Sequence, residues 1–215
     1  LHRVSLIHAE RIITELLESV IERSEHPLTL NKLEGDAALF YADIAGSEEP
    51  GDDERDRRSA RAVLVQLQGF FDAFSSRERG LVSECTLCAC EACAKAGDLR
   101  LKVIAHTGTI LVKQVRQFEE IAGEEVILAH RLLKNSVPSQ EYLLLTDSFH
   151  ALSGPPGDTA LETRTEDCEG VGRVKCHVHY PSGAVVVPTS PSSLRRKLGT
   201  SLSKLLTSAI SSAEE

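Results

Sequence analysis

Four of the six cysteines lie within nine residues, as Cys85-x-x-Cys88-x-Cys90-x-x-Cys93. Four thiolates are enough for a tetrahedral zinc ion, and each Cys-x-x-Cys pair forms a chelating knuckle. Only Ala89 separates the two knuckles, a far shorter spacer than zinc ribbons use. Two arrangements therefore stand level: all four thiolates on one ion, or three thiolates completed by a more distant ligand. Redox pairing, an iron–sulfur cluster and a metal-free cysteine-rich connector are also open to this spacing. A second group of residues can do different chemistry. Lys32-Leu33-Glu34-Gly35-Asp36 sits between two apolar runs, with Glu120-Ile121-Ala122-Gly123 and Arg131 well downstream. Gly-Asp is favoured in any hairpin turn, and Lys32 alone reads as a solvated strand lysine. Arg131 suits a phosphate equally well as a surface pair with Glu124 or Glu125.

These residues need elements to position them. Leu6, Ala9, Ile13, Leu16, Leu17, Val20 and Ile21 recur at helical spacing, and His26-Pro27 ends that helix. Residues 28–30 and 37–41 read as strands joined by the Glu34-Gly35-Asp36 turn. Residues 46–58 are charged and turn-rich, which predicts a solvated, flexible loop. A second helix follows, with Val63, Leu64, Leu67, Phe70, Phe71 and Phe74 on one stripe. Residues 99–106 predict a strand entering a sheet centre, Thr107-Gly108 a turn, and 109–115 another strand. A short helix is predicted over 124–134, with Val126, Ala129, Leu132 and Leu133 facing inward. Further strands are predicted at 142–146 and within 171–187, the latter with Val174, Cys176, Val178 and Tyr180 on one face. This order predicts an α/β (α+β) sandwich with a mixed sheet, ferredoxin-like at heart.

Composition narrows the function classes. At 215 residues one compact domain with appendages is expected, and 4% aromatics without Trp imply an aliphatic core. A formal net charge of −8 argues against general nucleic-acid binding. No apolar run reaches transmembrane length and no signal segment opens the sequence. Clustered cysteines fit a reducing compartment, so a cytoplasmic location is expected.

Lys-x-x-Gly-Asp on a turn, an acid three residues before a Gly and an Arg eight residues after it together resemble the class III adenylate/guanylate cyclase catalytic domain. The helix Gly123-Glu124-Glu125-Val126-Ile127-Leu128-Ala129-His130-Arg131 is similar to that family's Gly-x-x-Val-Asn-x-Ala-x-Arg pattern, and His106-Thr107-Gly108 resembles its strand-turn segment. The wording of residues 130–135 and 141–146, with the cysteine cluster, looks like an uncharacterised bacterial family related to the cyclases. The resemblance implies a ferredoxin-like class III fold and a homodimer with shared sites. It implies Asp36 as a ligand of Mg²⁺ or Mn²⁺ bound with a nucleoside triphosphate, Lys32 and Glu120 as purine-reading residues, and Arg131 as a phosphate or transition-state contact. Ile127 stands where a working cyclase carries an Asn. Losing one oriented donor costs on the order of a hundredfold or more in rate. The expectation is a cyclase-homology domain that binds nucleotide or regulates as a dimer with little or no turnover. An active cyclase and a zinc-clasped interaction module without nucleotide are the alternatives.

The resemblance leaves the family's first central strand unaccounted for. Since the sequence begins with Leu and is helical at once, a preceding segment outside it is expected. Residues 1–187 are expected to form the domain, with the Cys-rich insert at 85–93. Residues 188–215 are expected to form a linker and an amphipathic tail, with an apolar stripe of Leu194, Leu198, Leu202, Leu205, Leu206 and Ile210 beside Arg195, Arg196, Lys197 and Lys204. Such a basic helix can touch an anionic membrane surface or a partner helix, or pack on its own domain.

Overall fold

The computed structural model describes residues 2–44, 53–157, 160–181 and 206–211. Helical apolar spacing gives α1 (His2–Ile21), which buries Ile12, Leu16 and Val20. A hairpin of β1 (Thr29–Glu34) and β2 (Ala37–Asp43) follows. Gly35 at its turn has φ of 65°, a conformation that favours glycine. The 32-residue α2 (Asp53–Glu84) runs about 48 Å. Its first turn carries Asp53, Glu54 and Asp56, which suit the positive end of the helix dipole. The charged stretch expected as a loop over 46–58 is thus corrected: its second half opens α2, and residues 45–52 lie outside the described residues. All six residues of the predicted stripe, from Val63 to Phe74, are buried.

A short 3-10 turn (Cys85–Leu87), α3 (Glu91–Ala94) and a second 3-10 turn (Ala96–Asp98) lead into β3 (Lys102–Thr107). Then come β4 (Leu111–Val115), β5 (Phe118–Ala122), α4 (Glu124–Leu132), β6 (Tyr142–Thr146), α5 (Asp147–Ser153), β7 (Glu162–Cys168), β8 (Gly172–His179) and β9 (Leu206–Ser211). Seven strands form one sheet in the order β1-β2-β9-β3-β6-β8-β7, and β4 pairs with β5 in a separate hairpin. The middle strands β2, β9, β3 and β6 are mutually parallel, while β1, β8 and β7 attach antiparallel at the flanks.

Alternation along the strands splits the core between the two faces of the sheet. Phe40, Val103, Ala105, Leu143 and Leu145 pack with residues of α1, α2 and α5. Ile104, Leu144, Cys176 and Val178 face the opposite way, against Leu128 and Leu132 of α4. All five residues of β6 are buried, as expected for a strand covered on both sides. The architecture is a mixed α/β sandwich. Its central position, expected to lack a strand, is held by β9, which pairs with β2 and β3 along its length. The expected tail helix is corrected over the same residues. Helical periodicity in 206–211 gives way to pairing on both edges, which satisfies backbone groups in the sheet middle. The rest of the expected tail, including Leu194, Leu198, Leu202, Leu205 and its basic residues, lies outside the described residues. Among the described residues no helix is long and apolar enough to cross a membrane.

Candidate metal centre

Three of the four clustered thiols meet a histidine from the other end of the fold. His8 Nδ1 lies 3.4 Å from Cys88 Sγ, 3.4 Å from Cys90 Sγ and 3.2 Å from Cys93 Sγ. The four ligand atoms all lie within 4.8 Å of one another. Around a tetrahedral zinc ion, nitrogen at about 2.1 Å and sulfur at about 2.3 Å stand about 3.6 Å apart. The three nitrogen–sulfur spacings fit that shell after a shift of a few tenths of an ångström. Cys90 and Cys93 come from the α3 segment, Cys88 from the end of the 3-10 turn, and His8 from the middle of α1.

Local structure explains why the thiols converge. Cys90 takes the N-cap position of α3, where its sulfur accepts from the Cys93 backbone N–H. That bond is the main reason the Cys90 thiol is held down to about 6, with help from Cys88, Cys93 and His8 against the opposing effect of burial. Burial raises the Cys93 thiol, and hydrogen bonds among the neighbouring thiols raise it further. On α1, Ser5 and His8 stand three residues apart on one face. Ser5 Oγ accepts from the Ala92 N–H at 3.3 Å, so two residues of α1 hold α3. Beside the thiols, Arg11 bonds Glu15 and Glu84, and Arg77 bonds the same two carboxylates. Arg77 first, then Arg11, holds the Glu84 carboxyl below its ordinary range. This charged ring ties α1 to the end of α2 beside His8 and the clustered thiols. A cavity of about 70 Å³ opens there, lined by His8, Arg11, Glu84, Cys85, Cys88 and Cys93 among others.

Of the two arrangements open in the sequence, the structure assembles three thiols with a distant ligand. Cys85 stands beside that group, half-buried, and lines the same cavity. Nothing in the sequence singled out His8, because a histidine on an amphipathic helix has many uses. The signal was the vacancy left by a cramped four-thiol motif. Cys168 and Cys176 are buried in the core on the α4 side of the sheet, away from this group.

The residues expected at a nucleotide site are distributed differently. Lys32 Nζ lies 3.0 Å from Glu34 Oε1, and the other oxygen of Glu34 faces His130 Nδ1 at 3.5 Å. Asp36 occupies the turn between β1 and β2. Glu120 lies on β5, opposite Lys113 of β4, in the separate hairpin. Arg131 donates to the Glu169 carbonyl in the β7–β8 turn rather than pairing with Glu124 or Glu125. Ile127 is 52% exposed on α4. A second polar group lies at the ends of β3 and β6. Buried His106 contacts Thr146 Oγ1 at 2.9 Å through Nδ1 and Glu125 Oε2 at 2.5 Å through Nε2. Nearby, Asp147 accepts from His177 and Lys175, and His150 stacks on His177.

The chain is 33% identical over 165 residues to the "Uncharacterized protein Rv2561/Rv2562" of Mycobacterium tuberculosis (strain ATCC 25618 / H37Rv), covering 77% of this chain and 71% of the relative. No solved structure matches it significantly. Residues 13–142 match the family described as "Protein of unknown function (DUF2652)", a stretch that holds all four clustered thiols but begins after His8. Since that match spans more than half of its length, the chain belongs to this family.

Proposed function

We propose that the chain is a zinc-clasped interaction module, in which His8, Cys88, Cys90 and Cys93 hold one zinc ion. The observation that carries this reading is the convergence of one imidazole and three sulfurs from segments 80 or more residues apart. Four protein ligands close the coordination shell, which suits a structural ion rather than a catalytic one. A four-residue helix and a three-residue 3-10 turn have little stability of their own, so the ion fixes their geometry. The clasp also sets apolar side chains at the surface. Leu6 and Ile7 directly precede His8 and are 69% and 59% exposed, and Leu87, beside Cys88, is 99% exposed. Exposed apolar residues of this kind suit docking of another protein.

The cyclase-homology reading, with its ferredoxin-like fold, shared-site homodimer and nucleotide, draws on the β1–β2 turn, which carries Asp36 close to α4 through Glu34 and His130. It has less support because Lys32 and Arg131 are engaged with Glu34 and Glu169, contacts a nucleotide would have to replace.

Elemental analysis of reduced, purified chain tests the clasp. One zinc per chain is expected, and chelation is expected to lower Tm. A chain that takes up no zinc and melts unchanged would sink the reading. Calorimetric titration with ATP or GTP in the presence of Mn²⁺ separates the two readings: the clasp expects no heat of binding, and saturable binding would favour the nucleotide site.

A further inference from the structure

The cysteine cluster leads into the amino end of β3. At the carboxyl end of that strand, four side chains run in one hydrogen-bonded chain from the surface to a carboxylate. Ser148 is exposed at the start of α5, and its Oγ lies 3.0 Å from Thr146 Oγ1 and 3.4 Å from His106 Nδ1. Thr146 Oγ1 lies 2.9 Å from the same Nδ1, and Nε2 meets Glu125 Oε2 at 2.5 Å. With Nε2–H donating to the carboxylate, Nδ1 keeps its lone pair for a hydroxyl proton. Thr146 alone would satisfy it. The second hydroxyl, held by donating to the Thr107 carbonyl at 3.1 Å, is surplus to the needs of a buried imidazole. The place in the fold also favours a ligand. β3 and β6 are adjacent parallel strands, and the chain runs on from β3 to the α4 side of the sheet but from β6 to α5 on the opposite side. Open α/β sheets bind ligands at the carboxyl ends of strands that part in this way.

We propose that Ser148 is a nucleophile toward small, uncharged carboxylic esters, with Thr146 and His106 carrying its proton and Glu125 positioning the imidazole. Ser148 Oγ attacks the carbonyl carbon, its proton passing to Thr146 Oγ1 as the Thr146 proton passes to His106 Nδ1. The Glu125 carboxylate stabilises the imidazolium that results. The tetrahedral adduct then collapses: the bond from carbon to the leaving oxygen breaks, and the alcohol departs with the proton returned from His106, leaving Ser148 acylated. Water attacks the acyl carbon and gives one proton to His106 by the same route. Ser148 recovers that proton as the carboxylic acid leaves. Ester and water thus become acid and alcohol, with no change of oxidation state. Charge sets the substrate class. The Glu125 carboxylate lies within the group and the chain carries a net −8, so a neutral ester is admitted where a phosphoryl anion is repelled.

The test incubates the whole chain with p-nitrophenyl acetate, follows nitrophenolate release and locates the acetyl group by mass spectrometry. A fluorophosphonate probe marks the nucleophile independently. Wild type is expected to carry both labels on Ser148 and to turn over. Ser148→Ala, a change at an exposed position, is expected to keep the fold and fall to the slow background of the free thiols. Glu125→Gln is expected to lower kcat on the order of a hundredfold with KM unchanged, a split that a loss of folded protein does not mimic through its effect on binding. Thr146→Val, which removes the relay hydroxyl and keeps the shape, is expected to lose turnover, while Thr146→Ser retains it. Each variant is assayed where its circular dichroism matches wild type. Wild type without label on Ser148, or Ser148→Ala as fast as wild type, would overturn the inference. Glu125→Gln and Thr146→Val at wild-type rates would overturn the relay on which it depends.

Discussion

His8 Nδ1 lies 3.2 Å from Cys93 Sγ although 85 residues separate them in the chain. This one contact joins α1 to the segment after α2, where Arg11, Glu15, Arg77 and Glu84 already cross between the helices. Those ion pairs are largely at the surface and weak individually. The imidazole and thiols therefore supply the specific geometry, and the charges supply a supporting frame.

His8→Ala is expected to weaken zinc affinity on the order of a hundredfold, since one of four ligands is lost from a site whose binding energy is shared among them. Competition against a chelator of known affinity measures it. Cys85→Ser should bind as tightly as wild type. A loss in Cys85→Ser with none in His8→Ala would mean that Cys85, not His8, completes the shell.

Phe70 of α2 is fully buried, and its ring centroid lies 5.8 Å from that of Phe40 on β2. Replacing Phe70 by Ala removes the contact between the long helix and the hairpin that carries Asp36. A loss of about 3–5 kcal/mol is expected in urea unfolding, from lost burial and the cavity left behind. A cost below 1 kcal/mol would show that α2 is not seated on β2 as described.

Lys175, and after it His177, hold the Asp147 carboxyl down to about 2. The folded value lies below the unfolded one of about 3.9, so the stabilisation is complete above about pH 4 and fades as pH falls toward 2. Asp147→Asn should unfold at lower urea than wild type at pH 6, with the gap closing between about pH 4 and 2. Because the carboxylate is exposed, salt should also narrow the gap. A gap that does not change between pH 5 and 2.5 would assign the effect to something other than this charge.

The sequence made the elements with strong apolar periodicity legible: the stripe of α2, α4 and the leucine run of β6 carry their burial in their spacing. α1 does so in part, with Leu16 and Val20 buried as expected but Leu6 exposed and Ile12 buried outside the expected stripe. β5 was not legible because the adjacent Glu119-Glu120 breaks its alternation, and β7 because Glu162-Thr163-Arg164-Thr165-Glu166 carries no apolar residue. Their pairing is decided by neighbours: β5 by β4, and β7 by β8. The seven-residue α5 was missed for a related reason, since a helix that short shows barely two turns of pattern. β9 reads as part of a helical stripe and becomes a strand because two parallel edges offer it more hydrogen bonds than its own helix would. For the site, spacing marked the thiols as candidate metal ligands among several uses and flagged the tight four-thiol fit. The fourth ligand is a tertiary fact, since no local pattern distinguishes His8 from the protein's seven other histidines.

Gly108 leaves room for the contact that anchors His106. A Cβ on residue 108 would overlap Cγ and Cδ of Glu125, the carboxylate that meets His106 Nε2 at 2.5 Å. Gly108→Ala should therefore push Glu125 away and strip the buried imidazole of one partner, at a cost of about 1–3 kcal/mol. Glu125→Ala removes the same partner directly and should cost a similar amount. The two effects act on one contact, so they should not add: once Glu125 is truncated, the new methyl group has little to strike, and the double variant should be nearly as stable as Glu125→Ala alone. Urea unfolding of the four proteins closes the cycle. Full additivity would mean that Gly108 matters for its backbone conformation rather than for the space it leaves to Glu125.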